Sequence, residues 1–220
     1  MLIGISGKIK SGKDAIADIF MADFWKNGCG GRFYTIERHS FADKLKSIVA
    51  AIVGCHREDL DSQEFKSKAI PDFTKISQNG IITHVVPSDK IFYNDVFKEY
   101  SIVTYREALQ FFGTKFRNEY GENFWVNLLL NSLPSTSKEE IILITDVRYL
   151  NEAEAIKSRG GILIRVNRPH NESPKDISNH PSETGLDNYN NFDYIIENDG
   201  SLEDLEGKVK LIYSHLKTKH

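Results

Sequence analysis

The sequence predicts an α/β fold in which a parallel β-sheet is covered by helices on both faces. An apolar run at Met1–Ser6 is followed by a glycine-containing loop and then by helical periodicity from Ala15. A second strand pattern, at Phe33–Glu37, leads into a helix that begins after Ser40. Beyond a central block, strand and helix patterns alternate again from Glu140. Repeated strand-helix units of this kind build parallel sheets with helices on both sides.

The loop after the first strand predicts a phosphate site. It consists of Gly7-Lys8-Ile9-Lys10-Ser11-Gly12-Lys13-Asp14, which has the G-x-x-x-x-G-K spacing of a Walker A loop. Unpaired backbone N–H groups and the helix dipole favour an anion where a strand turns into a helix. Asp14 stands where Ser or Thr usually faces Mg²⁺, so a carboxylate would make the contact on the metal side. A Gly/Lys-rich surface turn is the alternative, but the order of strand, loop and helix favours phosphate.

Composition limits the class of protein. The 220 residues, 40% hydrophobic and 27% charged, can bury one sizeable core, which predicts a single globular domain. The net charge of −3 does not supply the basic face that nucleic-acid binding requires. The sequence has no apolar run of about 18 residues to span a bilayer, and its first residues lack a signal-peptide pattern. We therefore expect a cytoplasmic protein without a nucleic-acid or membrane partner.

The central block, residues 56–138, interrupts the alternation and is predicted to be a substrate-binding insertion. Asn79-Gly80 lies between apolar residues and predicts a small hairpin. Thr104–Glu107 has the pattern of a capping box and opens a helix that runs toward Gly121. A further helix is predicted at about 123–133.

The strand-helix alternation resumes in the last third of the chain. Glu140–Thr145 is a continuous apolar strand that ends at Asp146. Asn151 with Glu154 is predicted to cap the next helix, which Gly160-Gly161 ends. The remaining elements are two strands and a helix, at Ile162–Val166, at Phe192–Ile196 and from Leu202 onward.

Residues directly after strands are the first candidates for function, because ligands of α/β sheets bind at the carboxyl ends of the strands. Asp146 is placed like a Walker B acid that holds Mg²⁺ or its waters, with a helix-capping carboxylate as the alternative. Arg148 suits a bidentate contact with a phosphoryl group, with a solvated surface arginine as the alternative.

The predicted helix of the central block carries a polar face. Arg106, Gln110 and Arg117 are spaced by four and seven residues, which places them roughly on one side. Such a face binds a substrate or is only solvated. The aromatic residues around Trp125 are more typical of a core than of a platform for stacking on a base.

These segments together resemble the deoxynucleoside monophosphate kinases of bacteriophages. Besides the loop, the similar segments follow the same order and cover most of the chain outside residues 56–100. They are Ser40-Phe41-Ala42-Asp43, Tyr105-Arg106-Glu107, Gln110 to Gly113-Thr114, Asn123-Phe124-Trp125, Asp146-Val147-Arg148 with Asn151-Glu152, Arg165 to Pro169, and His180 to Leu186. Phosphomevalonate kinases are similar at the loop and at 183–188 and 192–198, but the stretches 106–125 and 146–152 favour the nucleotide kinases.

The resemblance implies a P-loop fold of the nucleoside-monophosphate-kinase type. This is a three-layer α/β/α structure with a central parallel sheet, a helical substrate-binding insertion and a lid. The core would comprise about 1–55 and 139–220 of the single domain 1–220, the insertion 56–138 and the lid 167–187. The implied reaction transfers the γ-phosphoryl group of ATP, with Mg²⁺, to a deoxynucleoside monophosphate (dNMP). A phage-encoded enzyme would act in the host cytoplasm. The accepted bases, the need for deoxyribose and the formation of a homodimer stay open.

The resemblance and the loop motif also imply roles for individual residues. The implied catalytic residues are Lys13, Arg148 and Arg168. The implied ATP-binding residues are Gly7, Lys8, Ser11, Gly12, Lys13, Asp14 and Ala15. The implied dNMP-binding residues are Lys10, Ser40, Phe41, Asp43, Arg106, Gln110, Arg117, Trp125 and Arg148. The implied Mg²⁺ ligands are Asp14 and Asp146.

Two other functions are considered. A phosphomevalonate-kinase-like enzyme would phosphorylate a different small molecule with the same loop. A non-enzymatic ATP-binding switch would keep the loop but need no acceptor pocket, and the arginines of the central block argue against it.

Overall fold

The computed structural model describes residues 1–27, 35–90, 99–133, 140–169 and 181–219. The chain divides into two compact units, one formed by Met1–Phe41 and Leu129–His220 and the other by Ala42–Leu128. The second unit contains most of the block that the sequence analysis assigned to an insertion. It also contains the helix after Ser40, which the sequence analysis placed in the core.

The described residues form eight strands, eight α-helices and two short 3₁₀ helices, at Arg57–Asp61 and Ser88–Lys90. The strands are β1 (Leu2–Gly7), β2 (Thr35–His39), β3 (Ala69–Gln78), β4 (Ile81–Pro87), β5 (Glu99–Thr104), β6 (Glu140–Val147), β7 (Ile162–Asn167) and β8 (Tyr194–Glu197). The α-helices are α1 (Lys13–Asn27), α2 (Ala42–Val53), α3 (Gln63–Lys66), α4 (Tyr105–Tyr120), α5 (Phe124–Leu130), α6 (Leu150–Ser158), α7 (Pro181–Thr184) and α8 (Leu202–Lys219).

A five-stranded sheet is the centre of the first unit. Its order is β2-β6-β1-β7-β8, and each pair of neighbouring strands is parallel. In a parallel sheet the carboxyl ends of all strands lie at one edge. The segments that follow these five strands therefore meet at the same edge, with the loop after β1 in the middle.

Helices cover both faces of this sheet. On one face, α1 and α8 pack against sheet residues such as Ile5 and Ile164 in one buried core. On the other face α6 approaches so closely that a Cβ atom at Gly4 would lie 2.7 Å from Cδ1 of Ile156. Full burial of one large apolar side chain such as Phe20, which is 0% exposed, stabilises the fold by roughly 1.5–3 kcal/mol. These layers confirm the predicted α/β class with a central parallel sheet.

The second unit contains an antiparallel sheet in the order β4-β3-β5. Asn79 and Gly80 join β3 to β4 with φ of 51° and 75°, the left-handed values that these two residue types tolerate best. At the start of α4, Glu107 Oε2 accepts a 2.9 Å hydrogen bond from the N–H of Thr104, and the Thr104 hydroxyl accepts one from the N–H of Glu107. Gly121, with φ of 100°, follows the end of α4. The predicted hairpin and the predicted capping box are both confirmed.

The predicted cap of α6 is wrong. The helix begins at Leu150, and Glu152 accepts hydrogen bonds from the N–H groups of Arg148 and Tyr149 at 2.7 and 3.0 Å. Glu152, which is only 3% exposed, therefore satisfies two N–H groups at the start of the helix, in place of the predicted cap by Asn151 with Glu154. Other ends differ by a few residues, since β2 reaches His39 and α5 ends at Leu130.

The predicted lid, 167–187, is described only at its two ends. Residues 170–180 lie outside the described residues, Arg168 is exposed, and α7 forms part of the second end. The lid stays a prediction. Within the described ranges, no helix is both long and apolar enough to cross a membrane.

Candidate active site

The carboxyl edge of the parallel sheet brings together most of the candidates from the first unit. The loop 7–14 follows β1 and Ser40 follows β2. Asp146 lies at the end of β6, with Arg148 directly after that strand. Arg168 follows β7. Residues separated by more than 100 positions in the sequence are therefore placed at one edge.

The loop closes around its own lysine. Lys13 Nζ donates hydrogen bonds to the carbonyl oxygens of Gly7 and Lys8 at 2.6 and 2.7 Å, and Lys13 is 9% exposed. The hydroxyl of Ser11 is buried and has no hydrogen-bond partner among the described residues. A buried hydroxyl without a partner costs free energy, which a ligand oxygen would recover. The loop therefore fits the phosphate group predicted from its spacing.

Two backbone positions shape this loop. Lys10 has φ of 59°, a left-handed value that costs a non-glycine residue about 1–2 kcal/mol. Gly12 has φ of 101°, and a Cβ atom there would collide with the side-chain amide of Asn198. The same amide, which follows β8, donates a 2.8 Å hydrogen bond to the carbonyl oxygen of Ser11. Gly12 thus allows Asn198 to hold the loop, a role for Asn198 that the sequence did not indicate.

The charge of Lys13 is affected by its surroundings. Burial lowers the pKa of Lys13 from 10.5 to about 8, and the positive charge of Arg148 acts in the same direction. The carboxylates of Glu183, Asp14 and Asp146 raise this pKa but do not compensate for burial. A phosphate bound beside the ammonium group would favour its charged form.

Asp146 is held by the chain that follows β2. Its Oδ2 accepts a 2.5 Å hydrogen bond from the Ser40 hydroxyl, and its Oδ1 accepts a 2.7 Å hydrogen bond from the N–H of Phe41. The sequence analysis assigned Asp146 to Mg²⁺ and Ser40 and Phe41 to the acceptor. The structure brings these three residues together.

Asp14 is paired with an arginine that the sequence analysis missed. Arg38, at the end of β2, forms an ion pair with Asp14 and a second one with Asp18 at 3.0 Å. The Asp14 side chain is 80% exposed, so the pair is open to solvent and to competing cations. The only indication of Arg38 in the sequence was its position directly after the strand predicted at Phe33–Glu37.

Arg148 is held by a buried carboxylate. Glu183 in α7 forms an ion pair with Nη1 of Arg148, and its second oxygen accepts a 2.7 Å hydrogen bond from the N–H of Ile9 in the loop. In the sequence analysis Glu183 belonged to the segments 180–186 and 183–188 that carry the family resemblances, but it was given no role of its own. A second carboxylate of the same segment, Asp187, pairs with Lys8 at 3.1 Å.

The remaining dNMP candidates lie in the second unit. Asp43 forms an ion pair with Arg57, and Arg106 donates a 3.0 Å hydrogen bond to the side chain of Gln63. Gln110 is exposed and Arg117 is half-buried on α4. Trp125 is 3% exposed and donates its indole N–H to the carbonyl oxygen of Gly113 at 3.0 Å. This burial favours the core interpretation of Trp125, whose substrate contact stays a prediction.

The two predicted Mg²⁺ ligands suit that ion. Within the described ranges, no group of three or more His, Cys, Asp or Glu side chains is arranged to hold a metal by itself. Mg²⁺ in phosphoryl-transfer sites uses one or two carboxylates, because phosphates and waters complete its coordination. Asp14 and Asp146 both lie near enough to Lys13 to influence its pKa. Their carboxylate oxygens are of the type that Mg²⁺ binds, and their role as ligands stays a prediction.

Comparison with known proteins identifies the family. A model of the deoxynucleotide monophosphate kinase family matches residues 39–209. The chain belongs to this family. Because the match begins after the loop 7–14, the phosphate-loop motif and the family match are separate observations. They agree with each other.

Individual proteins named for this activity are similar to the chain, two of them over most of its length. The deoxynucleotide monophosphate kinase of Enterobacteria phage T4 is 25% identical in an alignment that is 250 positions long and covers 95% of this chain and 97% of that protein. The deoxynucleoside-5′-monophosphate kinase of Escherichia phage T5 is 24% identical in an alignment that is 221 positions long and covers 84% of this chain and 85% of that protein. A protein of Acanthamoeba polyphaga mimivirus that is named for the same activity is 30% identical in an alignment that is 117 positions long and covers 48% of this chain and 59% of that protein.

Family membership decides between the functions left open by the sequence. The chain is a deoxynucleotide monophosphate kinase, hence an ATP-dependent phosphotransferase. The prediction of a phage-type nucleotide kinase is confirmed, in preference to a phosphomevalonate-kinase-like enzyme or an ATP-binding switch. The substrate is a small-molecule nucleotide.

Proposed function

We propose that the loop 7–14 of this kinase binds ATP and that the γ-phosphoryl group is transferred at the carboxyl edge of the parallel sheet. The observation that carries the proposal is the arrangement of the loop, in which the buried Lys13 donates to the carbonyl oxygens of Gly7 and Lys8 and the buried hydroxyl of Ser11 has no hydrogen-bond partner among the described residues. The acceptor is the 5′-phosphate of a dNMP, and the product is a deoxynucleoside diphosphate.

The loop residues hold the donor nucleotide. The N–H groups of the loop and of the first turn of α1 bind phosphate oxygens, with the macrodipole of α1 adding positive potential. In the free protein Lys13 donates to Gly7 and Lys8, and it would exchange these carbonyl oxygens for phosphate oxygens. Phosphoryl transfer through a loose transition state depends mainly on positioning and neutralisation of charge, which Lys13 supplies.

Asp14 and Asp146 are the proposed carboxylates for Mg²⁺, which would neutralise phosphate charge when bound. Both oxygens of Asp146 accept hydrogen bonds from Ser40 and Phe41, so its contact with the ion is proposed to run through coordinated water. Asp14 would exchange its ion pair with Arg38 for the ion.

The acceptor contacts are proposed from the sequence. Arg148 is proposed to bind the transferring group, and Arg168 is proposed to contribute in the closed state of the site. The other proposed acceptor residues are Lys10, Ser40, Phe41, Asp43, Arg106, Gln110, Arg117 and Trp125. A cytoplasmic location and a homodimer also stay predictions.

An assay of ADP release across dNMPs, ribonucleoside monophosphates and phosphomevalonate tests the proposal. We expect turnover with at least one dNMP, and no turnover with phosphomevalonate. Lys13→Met should lower kcat at least about 100-fold while the fold is retained, because it removes a contact concentrated in the transition state. Lys157→Met is the matched control, since Lys157 pairs with Asp193 at 2.8 Å and does not belong to the proposed site. A Lys13→Met enzyme as active as this control would contradict the proposed role of the loop.

A further inference from the structure

We propose that Glu183 is a positioning residue that fixes the guanidinium group of Arg148 beside the phosphate loop and thereby sets kcat. The inference rests on the proposed function, in which Arg148 binds the transferring phosphoryl group. Glu183 itself need not touch either nucleotide.

The first support is the burial of the carboxylate. The Glu183 side chain is 3% exposed, whereas that of its partner Arg148 is 32% exposed. A buried carboxylate is stable only when charge and hydrogen-bond partners compensate for its lost hydration. The buried Glu183 carboxylate thus fixes the position of the ion pair, while part of the Arg148 side chain stays exposed.

The second support is that Glu183 joins two parts of the site with its two oxygens. Oε1 pairs with Arg148 after β6, and Oε2 accepts a 2.7 Å hydrogen bond from the N–H of Ile9 in the loop. Arg148 and Ile9 are 35 and 174 positions from Glu183 in the sequence. One buried carboxylate therefore links the phosphate loop to Arg148.

The third support is that Arg148 is held at both ends. Glu152, 3% exposed, accepts a 2.7 Å hydrogen bond from the backbone N–H of Arg148, while Glu183 holds the guanidinium group. A guanidinium group has five N–H donors in a fixed plane, so a bond through Nη1 is compatible with binding a phosphoryl oxygen. Fixing the side chain before the substrate arrives reduces the ordering required in the transition state.

The other carboxylate of the same segment is not buried. Asp187 also uses both oxygens, since it pairs with Lys8 at 3.1 Å and with Arg165 at 3.2 Å, but its side chain is 35% exposed. Ion pairs at that exposure contribute little. Burial therefore distinguishes Glu183 from Asp187.

The test compares Glu183→Gln, Arg148→Ala and the double variant. Glutamine keeps an acceptor for the N–H of Ile9 but removes the charge that holds Arg148. We expect Glu183→Gln to lower kcat on the order of 10- to 100-fold while the ATP KM changes less than about threefold. If Glu183 acts through Arg148, the double variant should be no slower than Arg148→Ala. The folded fraction is checked by the stoichiometry of nucleotide binding and by thermal unfolding.

Asp193→Asn is the matched control. Asp193 has the same kind of contacts as Glu183, because it accepts a 2.8 Å hydrogen bond from the backbone N–H of Leu163 and pairs with Lys157 at 2.8 Å. We expect this change to alter the unfolding temperature but not kcat. If Glu183→Gln does not fold, Glu183→Asp keeps the charge with a shorter reach and should lower kcat to an intermediate value.

Four results would overturn the inference. The losses of Glu183→Gln and Arg148→Ala could multiply in the double variant, which would show that Glu183 acts independently of Arg148. Glu183→Gln could raise kcat or tighten ATP binding, as expected if the carboxylate only competes with phosphate. Glu183→Gln could also have the same kcat as Asp193→Asn while Arg148→Ala has a much lower kcat. This result would overturn the inference but leave the proposed function intact. A normal kcat for Arg148→Ala would instead remove the proposed role of Arg148, and the inference with it.

Discussion

The Asp146 carboxylate accepts a hydrogen bond from the Ser40 hydroxyl, with 2.5 Å between Oδ2 and Oγ. Ser40 directly follows β2, and Asp146 lies near the end of β6, the parallel strand beside β2. The two residues are 106 positions apart in the sequence. The bond orients the acid that the proposed function assigns to Mg²⁺. It also means that any change at Ser40 affects a candidate metal ligand.

This hydrogen bond predicts that substitutions of Asp146 and Ser40 raise the Mg²⁺ requirement of the enzyme by different amounts. Asp146→Asn should raise the Mg²⁺ concentration for half-maximal activity about tenfold, because it removes a charge near the ion. Ser40→Ala should raise it less, since the N–H of Phe41 still holds Oδ1 of Asp146. Activity measured against Mg²⁺ at saturating ATP would check both. An unchanged titration for Asp146→Asn would exclude Asp146 from the metal site.

ATP binding should be linked to proton uptake at Lys13. The pKa of Lys13 is about 8 in the free protein, and bound phosphate favours the charged form. The affinity for ATP should therefore fall as the pH rises through 8, and binding at that pH should take up protons. Calorimetry in two buffers of different ionisation enthalpy measures this uptake. Lys13→Met should lose it, and uptake that persists in this variant would assign the proton to another group.

Stability should also depend on pH through Lys13. Its pKa in the folded state, about 8, is below the ordinary 10.5, so between these values the unfolded chain binds more protons than the folded one. The free energy of unfolding should therefore rise with pH from about 8 to 10.5, relative to Lys13→Met. Urea unfolding of both proteins across this range is the measurement. If the free energies of unfolding of the two proteins changed in parallel with pH, the lowered pKa could not be assigned to Lys13.

The backbone of Lys10 predicts that two small substitutions at this position differ in stability. Lys10 has φ of 59°, so Lys10→Gly removes both the side chain and the strain, whereas Lys10→Ala removes only the side chain. We expect the glycine variant to be more stable than the alanine variant by up to about 1 kcal/mol. If the ammonium group contacts the acceptor, both variants should raise the dNMP KM equally. An alanine variant as stable as the glycine variant would show that the strain is released in solution.

Arg38 should compete with Mg²⁺ for Asp14. Arg38→Gln removes the ion pair with Asp14 and should lower the Mg²⁺ concentration for half-maximal activity by about two- to threefold, a small effect because Asp14 is 80% exposed. Arg38→Lys keeps the charge and is the control. A higher Mg²⁺ requirement in Arg38→Gln would instead indicate that Arg38 contacts a phosphate.

Local features of this protein could be predicted from the sequence because they depend on residues close together in the chain. The loop spacing at 7–14, the capping box at Thr104–Glu107 and the turn at Asn79-Gly80 each involve fewer than ten residues. The alternation of strand and helix patterns was enough to predict the parallel sheet and hence the edge where the candidates lie.

Only the tertiary structure decided which side chains hold the candidate residues. Glu183 with Ile9, Asp146 with Ser40 and Arg38 with Asp14 are pairs 174, 106 and 24 positions apart. The start of α6 was also decided by the folded chain, since the helix begins at Leu150 and the buried Glu152, rather than Asn151, accepts hydrogen bonds from the N–H groups of Arg148 and Tyr149. Hydrophobic spacing specifies where an element begins and which face it buries. The partner of a charged side chain depends instead on which strands become neighbours and on which carboxylates lose their water, and both are properties of the folded chain.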